Sequence, residues 1–222
     1  LFARTDPNKD PAKPHRGIST FLVEKERGSF PPGVTGTPVR KIGYFGWQTW
    51  ELSFDGFRLP ADALLGEEGK GFYMAVSGLE VGRAHTAARA IGLARAALED
   101  SIAYVATREQ FGRPIGDFQY LRFEIAKMAA DIEAARQLMY SVATDIDSGR
   151  RCSTEAAMCK LVATEMAERV TSQGIQIHGG AGYTTDFQVE RHWRDARLTR
   201  IFEGTSEIQM RIISDALLGR SD

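Results

Sequence analysis

Hydrophobic and polar positions follow two different patterns along the chain. Up to about Leu65, short β-rich runs are separated by turns rich in Pro and Gly. The predicted strands cover residues 17–23, 39–42 and 49–54. Apolar and polar residues alternate from Trp50 to Phe54, which is typical of a half-buried strand. A polar stretch at 6–11 predicts a hairpin connection. Because so few short strands leave an uncovered edge, we expect an incomplete antiparallel β unit.

From about Gly71 onwards the apolar residues recur at helical spacing. The predicted helices cover residues 72–110, 117–147, 153–178, 187–197 and 207–218. Asp117 and Ser153 are the expected N-caps of the second and third helices. Long helices joined by short loops predict an up-and-down helical bundle. The predicted fold is therefore mainly α: residues 1–66 form part of an antiparallel β domain, and residues 67–222 form a helical bundle.

Composition and charge narrow the function classes. The chain has 222 residues, a formal net charge of −1 and 43% hydrophobic residues. A near-neutral charge disfavours nucleic acid as a partner, and no apolar run approaches the roughly 20 residues of a membrane span. Cys152 and Cys159 lie about 10 Å apart along a helix, too far for a disulfide. Buried thiols indicate a reducing compartment, either cytoplasm or mitochondrial matrix. The chain begins without Met, as if in mid-strand, so we expect a piece of a larger protein.

The segment 201–209 is the strongest candidate for chemistry. Glu203 stands between an aromatic residue and a glycine, and Thr205 and Ser206 precede a helical pattern. This order predicts a tight loop that leads into a helix, with Thr205 or Ser206 as the N-cap. A carboxylate beside an apolar wall would have a raised pKa, as a general base requires. The same residues also fit a solvated glutamate ahead of an ordinary capped helix.

Two further clusters contain residues that suit a cofactor. Arg108 and Phe111, at a predicted helix end, could bind a phosphate or stack on a flat ring. Arg108 could equally complement the negative end of the helix. The glycines that follow Gln176 could expose backbone amides to a ligand or simply end a helix. Within this segment His178 is interpreted as a packing or capping residue, and no metal site is predicted.

Two charged clusters remain. Glu80 and Arg83 lie three residues apart on a predicted helix and fit an ordinary surface pair. The basic run at 191–200 could meet an anionic ligand, but it also fits a solvated or inter-subunit face.

In this order and spacing, the clusters resemble the acyl-CoA dehydrogenase family. The most specific motifs are Arg108…Phe111-Gly112-x-Pro114-Ile115, Gln176-Ile-His-Gly-Gly180, Arg194-Asp195-Ala196 and Glu203-Gly204-Thr205. The resemblance covers essentially the whole chain and begins in the middle β domain of the family, at residues 2–7.

The resemblance implies FAD-dependent dehydrogenation of an acyl-CoA in fatty acid metabolism, such as β-oxidation. Glu203 matches the base that removes the α-proton while the β-hydrogen leaves as hydride to flavin N5. Phe202 and Gly204 match positions beside the substrate, and Glu80 and Arg83 match a segment that lies along it. Some members carry the base on the long helix, at the position of Gly82. Because Gly82 has no carboxylate, the base is expected to be Glu203.

The resemblance also implies a cofactor site shared between subunits. The positions that match contacts to the FAD of a neighbouring subunit are Arg108, Phe111, Gln119, Gln176, Gly179 and Gly180. Thr205 and Glu207 match positions that contact the FAD of their own subunit. Shared sites imply a homodimer or homotetramer.

An electron-transfer flavoprotein is the expected electron acceptor. The alternatives are an acyl-CoA oxidase-like enzyme and a non-catalytic subunit of a mixed complex. The N-terminal helical domain of the family and the start of its β domain have no counterpart in this sequence. Alone, the chain is therefore expected to hold FAD poorly and to be inactive.

Overall fold

The structure is a computed structural model that describes residues 1–7 and 12–220. Most of the predicted hairpin connection at 6–11 lies outside these residues. The chain divides into two compact units. The first contains residues 1–41 and 45–79, and the second contains residues 42–44 and 80–222. The boundary predicted at residues 66 and 67 stays a prediction.

The first unit contains short antiparallel strands. β1 (Phe2–Arg4), β2 (Ile18–Phe21) and β5 (Leu64–Leu65) form one sheet in the order β1-β2-β5. β3 (Val34–Pro38) and β4 (Trp50–Phe54) form a separate two-stranded ribbon. The helix α1 (Gly71–Ser77) packs on β2. It starts at a glycine because a Cβ at Gly71 would lie 2.7 Å from the backbone of Ser19.

Two predictions for the first unit are wrong. The strand predicted at 39–42 lies instead at Val34–Pro38. Ile42, at the end of the predicted strand, belongs to the second unit. Its carbonyl oxygen accepts a hydrogen bond from Arg194 of the same unit. The strand β4 is exposed along its whole length instead of half-buried. Its alternating pattern marks a face that could be covered, but β3 and β4 pair only with each other in the described chain.

The second unit is a helical bundle, as predicted. Its helices are α2 (Leu79–Thr107), α3 (Gln119–Asp147), α4 (Ser153–His178), α5 (Val189–Thr199) and α6 (Ser206–Leu218), although Leu79 itself falls in the first unit. The helix α4 lies at the centre and packs on α3, α5 and α6. Across the described residues, no helix is long and apolar enough to cross a membrane.

Small side chains let α2 and α4 approach each other at one point, where Ala97 faces Gly174. The fully buried positions of α2 include Ala87, Ala90, Ala94 and Ala97, which recur at helical spacing. On α4, a Cβ at Gly174 would lie 3.4 Å from the Cβ of Ala97. The two cysteines are buried in the same core and neither is in a disulfide, as predicted. Burial raises the pKa of Cys159 to about 12, so this thiol is inert.

The single helix predicted at 72–110 is wrong in two respects: it is broken into α1 and α2, and α2 ends before residue 110. The break lies at Gly78, and a Ser-Gly pair such as Ser77-Gly78 is a common place for a helix to kink. The helix α2 then stops at Thr107, because Glu109–Gln110 (β6) pairs with Arg113–Pro114 (β7) in a small hairpin.

Both predicted N-caps are wrong. Phe118 is the N-cap residue of α3, and Cys152 is that of α4; neither makes a side-chain capping bond. Asp117 lies instead in a short 3₁₀ helix, Ile115–Asp117, that precedes α3. Ser153 is already the first residue of α4. The backbone amide of Cys152, the N-cap residue of α4, donates to the carboxylate of Glu80 in α2.

Candidate active site

Glu203 lies in a tight loop between α5 and α6. Its φ angle is 55° and that of Gly204 is 88°, so both residues are left-handed. The Thr205 side chain accepts a hydrogen bond from the Ile208 amide at 3.5 Å and caps α6, as predicted. Left-handed backbone is costly for a residue with a side chain, and such strain persists only where the surroundings impose it. The loop conformation therefore needs an external support.

Two buried side chains provide that support. The Lys160 Nζ donates to the Gly204 carbonyl oxygen at 2.8 Å. The Gln209 Nε2 donates to the same oxygen at 2.9 Å and to the Glu203 carbonyl oxygen at 3.2 Å. Both side chains have no exposed surface. Burial lowers the pKa of Lys160 to about 8, and this effect outweighs the opposing influence of Glu165 and Glu207.

The two ends of the loop are tied to α4 through one carboxylate. The Glu165 Oε1 accepts from the Ser206 hydroxyl at 2.6 Å and from the Arg200 Nε at 2.7 Å. Arg200 also pairs with Glu168, one turn along α4. The hydrogen bonds that Arg200 donates to these carboxylates, above all to Glu168, raise its pKa. The loop from Arg200 to Ser206 is therefore fixed at both ends and in its middle.

The carboxylate of Glu203 lies against a glycine of α2. A Cβ at Gly82 would be 3.0 Å from the Glu203 Oε2 and 3.4 Å from its Cδ. The bare helix surface at Gly82 thus leaves the space that the carboxylate uses. The expected apolar wall around Glu203 is wrong for the described chain, because the residue is exposed. Phe202 is half-buried, and its ring centroid lies 6.1 Å from that of Tyr44.

Glu80 and Arg83 are not the surface pair that their spacing suggests. Arg83 is only 6% exposed, and its Nη1 lies 3.3 Å from the Ser153 hydroxyl. The Glu80 Oε2 accepts from the Cys152 amide at 3.4 Å and so caps α4 from α2. Burial lowers the pKa of Arg83, while Glu80 and Glu203 oppose this shift. The Nε of Arg83 is buried and has no hydrogen-bond partner among the described residues.

A second group of predicted residues surrounds a cavity of about 590 Å³. The cavity lining includes Arg108, Gly179 and Gly180. Gly179 caps the C-terminus of α4 with a φ angle of 60°, and a Cβ there or at Gly180 would meet only open space. His178 packs as predicted: its Nδ1 lies 2.8 Å from the Gly174 carbonyl oxygen and its ring stacks on Tyr104.

The other five predicted cofactor residues, Thr205 among them, lie outside the lining of this cavity. Phe111 is at the tip of the β6–β7 hairpin, left-handed with a φ angle of 53° and 92% exposed. Gln119, the first residue of α3, and Gln176, near the end of α4, are also exposed. Glu207, in the first turn of α6, is exposed as well. Hydrogen bonds from its own backbone amide and from Thr205 lower the pKa of Glu207.

Part of the basic run at 191–200 is engaged in contacts within the second unit. Arg194 forms two hydrogen bonds with Glu190, which lower the pKa of that carboxyl. The His192 Nε2 lies 3.1 Å from an oxygen of Asp100. The Asp195 carboxylate accepts from the Tyr44 amide. These contacts fasten the segment 42–44 to α5 beside Phe202.

Sequence reasoning missed the two residues that support the Glu203 loop. Lys160 interrupts an apolar face of α4, and such an interruption was a usable signal, because a buried lysine needs a dedicated partner. Gln209 gave no comparable signal, since a glutamine on an amphipathic helix is ordinary. Among the described residues, no cluster of His, Cys, Asp and Glu could hold a metal ion.

The second unit thus combines a helical bundle with a carboxylate in a strained loop that buried side chains support. The family model described as "Acyl-CoA dehydrogenase, C-terminal domain" matches residues 69–218. The chain therefore belongs to the acyl-CoA dehydrogenase family.

Similar proteins cover nearly the whole chain. An acyl-CoA dehydrogenase of Bacillus subtilis is 46% identical over 219 residues, which are 98% of this chain and 56% of that protein. The butyryl-CoA dehydrogenase structure from Megasphaera elsdenii is 44% identical, with a TM-score of 0.89 over 98% of this chain and 55% of that one. A chain from the structure of the electron transferring flavoprotein of Acidaminococcus fermentans is 42% identical, with a TM-score of 0.90. The match covers 98% of this chain and 56% of that one. The chain thus spans about half the length of these relatives.

Proposed function

We propose that the protein containing this chain is an FAD-dependent acyl-CoA dehydrogenase with Glu203 as its catalytic base. The observation that carries this proposal is the position of the Glu203 carboxylate. It is exposed in the middle of a strained loop, beside the glycine that leaves it room on α2. Strain that is maintained by buried hydrogen bonds is characteristic of functional loops. A glutamate that only preceded a capped helix would gain nothing from this arrangement.

The residues of this chain supply the proton-transfer half of the reaction. The Glu203 carboxylate removes the α-proton of an acyl-CoA thioester, and the product is the trans-2-enoyl-CoA. When bound, FAD would take up the β-hydrogen as hydride. Phe202 and Gly204 flank the base and are proposed to line the substrate. Along α2, the segment from Glu80 to Arg83 is proposed to follow the substrate, with Gly82 keeping the carboxylate accessible.

The described residues suit the adenosine diphosphate part of FAD. The cavity beside Arg108 combines a guanidinium with two glycines over which a ligand can approach the backbone closely. Phe111 presents an exposed aromatic ring on a strained turn nearby in sequence, and Gln119 and Gln176 are exposed polar groups. We propose that these residues hold the diphosphate and adenosine of FAD.

Thr205 and Glu207 support a shared cofactor site. Neither residue lines the cavity beside Arg108, and both lie at the N-terminus of α6 next to the proposed base. One cofactor bound by both groups would be contacted by two subunits. A homodimer or homotetramer is therefore proposed.

An electron-transfer flavoprotein is proposed as the electron acceptor. The support is the similarity to a chain from the structure of an electron transferring flavoprotein. If oxygen reoxidises the reduced flavin as fast as an electron-transfer flavoprotein does, the alternative, an acyl-CoA oxidase-like enzyme, would be indicated.

Anaerobic titration of the complete protein with acyl-CoAs tests the proposal. Because this chain spans about half the length of its relatives, the 222-residue chain is titrated in parallel and is expected to retain little FAD. We expect at least one acyl-CoA to bleach the flavin absorbance. Bleaching by straight-chain acyl-CoAs would indicate a role in β-oxidation. Glu203→Gln should keep flavin and substrate but slow bleaching by about 10²- to 10⁴-fold. A bound flavin that no acyl-CoA reduces would contradict the proposal.

A further inference from the structure

The middle of the Glu203 loop accepts side-chain hydrogen bonds from two helices. One backbone oxygen, that of Gly204, accepts from two buried side chains on different helices, Lys160 of α4 and Gln209 of α6. A backbone carbonyl has two lone pairs, and both are used by these donors. The Gln209 amide nitrogen faces the loop while its oxygen is buried without a hydrogen-bond partner among the described residues. Its orientation is therefore determined by the loop.

A buried lysine is a costly means of supporting a loop. The Lys160 side chain has no exposed surface, and burial of an ammonium group is unfavourable unless the group is paired or hydrogen-bonded. Its neighbours on α4 pack as a helix normally does: Thr164, one turn on, is equally buried and bonds only to carbonyl oxygens of its own helix. The stability of α4 thus offers no reason for a lysine at this position.

We infer that Lys160 is a positioning residue, which together with Gln209 clamps the Gly204 carbonyl and so fixes the direction of the Glu203 carboxylate. The two bonds fix the dihedral angles of the loop where both residues are left-handed. Without them, the loop can relax to right-handed backbone, and Glu203 leaves its place beside Gly82. This inference rests on the proposed function for its effect on rate, but the effect on the loop itself is independent of that function.

Hydrogen–deuterium exchange of the FAD-loaded complete protein tests the clamp without using its activity. Lys160→Met keeps most of the length of the unbranched side chain and removes the donor. We expect faster exchange of the amides in 201–206, with the rest of α4 unchanged. The matched controls are Thr164→Val, which removes a buried polar group that does not touch the loop, and Lys127→Met, which removes an exposed lysine. Both should exchange like the wild type in 201–206. Wild-type exchange of this segment in Lys160→Met would overturn the inference.

Single-turnover flavin reduction provides the second readout. Lys160→Met should slow reduction at saturating acyl-CoA by about 10²-fold while the Kd for acyl-CoA stays near that of the wild type. Gln209→Met should act in the same direction, and the double variant should lose less than the product of the two single effects, because both donors act on one oxygen. Fully multiplicative effects would contradict a shared clamp.

Two possible outcomes are separated by this design. If Lys160→Met does not fold, Gln209→Met carries the exchange test alone, and wild-type protection of 201–206 in it would overturn the clamp. If no acyl-CoA reduces the wild-type flavin, the proposed function fails, while the exchange data still decide whether Lys160 and Gln209 hold the loop.

Discussion

Glu203 and Phe111 are both non-glycine residues with left-handed backbone conformations, yet their surroundings differ. The Glu203 loop is held by Lys160 and Gln209 from within the bundle. Phe111 lies at the tip of a two-residue turn, next to Gly112, with its ring almost fully exposed. A rigid base favours proton transfer, since small displacements of a reacting group are costly. An exposed tip favours a contact that a cofactor or another subunit completes. The difference teaches that backbone strain at the proposed reacting group is supported internally, whereas backbone strain at the proposed binding tip has no such support.

The largest effect is expected from Gly204→Ala. A Cβ at this position would lie 2.8 Å from the Gln209 Nε2, on a backbone that is already left-handed. The clamp must move, so flavin reduction should fall by about 10²-fold and the free energy of unfolding by about 1–2 kcal/mol. The matched control is Gly149→Ala, with a φ angle of 76° and nothing within 4 Å of the new Cβ. It should lose similar stability but keep the reduction rate. Equal rates of flavin reduction in Gly204→Ala and Gly149→Ala would show that the support of the Glu203 loop has no effect on the reaction.

Gly82→Ala should have a smaller effect on the rate and none on the fold. The new methyl group would press on the Glu203 Oε2 at 3.0 Å and displace the carboxylate by a few tenths of an ångström. We expect flavin reduction to slow by about tenfold. In the same helix, Gly92→Ala meets nothing within 4 Å and should raise the free energy of unfolding by about 0.5–1 kcal/mol at an unchanged rate. A wild-type rate for Gly82→Ala would show that the carboxylate does not depend on this glycine.

The buried lysine should also give stability a dependence on pH. Its pKa is about 8 in the folded protein against an ordinary value of 10.5, so between these values the unfolded chain binds more protons. The free energy of unfolding should therefore rise with pH in this window, by up to about 1.4 kcal/mol per pH unit from this group. Denaturant unfolding should show this slope in the wild type and in Lys127→Met, but a smaller slope in Lys160→Met. Parallel curves for all three would contradict a desolvated Lys160.

The smallest effect is expected at the open tip. Phe111→Asn places Asn-Gly, the preferred pair for a turn with two positive φ angles, at the tip of the hairpin. The free energy of unfolding should rise by about 1 kcal/mol, because asparagine tolerates left-handed backbone better than phenylalanine. Flavin retention should weaken, since the exposed ring is lost. A variant that becomes more stable and keeps its flavin would show that Phe111 does not contact the cofactor.

The helices and the N-cap at Thr205 could be predicted because they depend on local patterns of apolar spacing and capping. The break at Gly78 and the hairpin at Phe111 could not. A single glycine is tolerated in many helices, and Phe-Gly is not a usual turn pair. The clamp was also out of reach, since Lys160, Gly204 and Gln209 meet only when α4 and α6 pack. The pairing of Gly82 with Glu203 likewise depends on the tertiary fold. The roles of the site residues remain predictions that come from the resemblance to the family.

The most direct test of Glu203 as the base is exchange of the acyl-CoA α-proton with solvent deuterium. The complete FAD-loaded protein is incubated anaerobically in D₂O with an acyl-CoA that it binds, and deuterium at the α-carbon is measured by mass spectrometry. The wild type should incorporate deuterium, and Glu203→Gln, at matched flavin content and acyl-CoA occupancy, should not. Incorporation by Glu203→Gln at the wild-type rate would contradict the account.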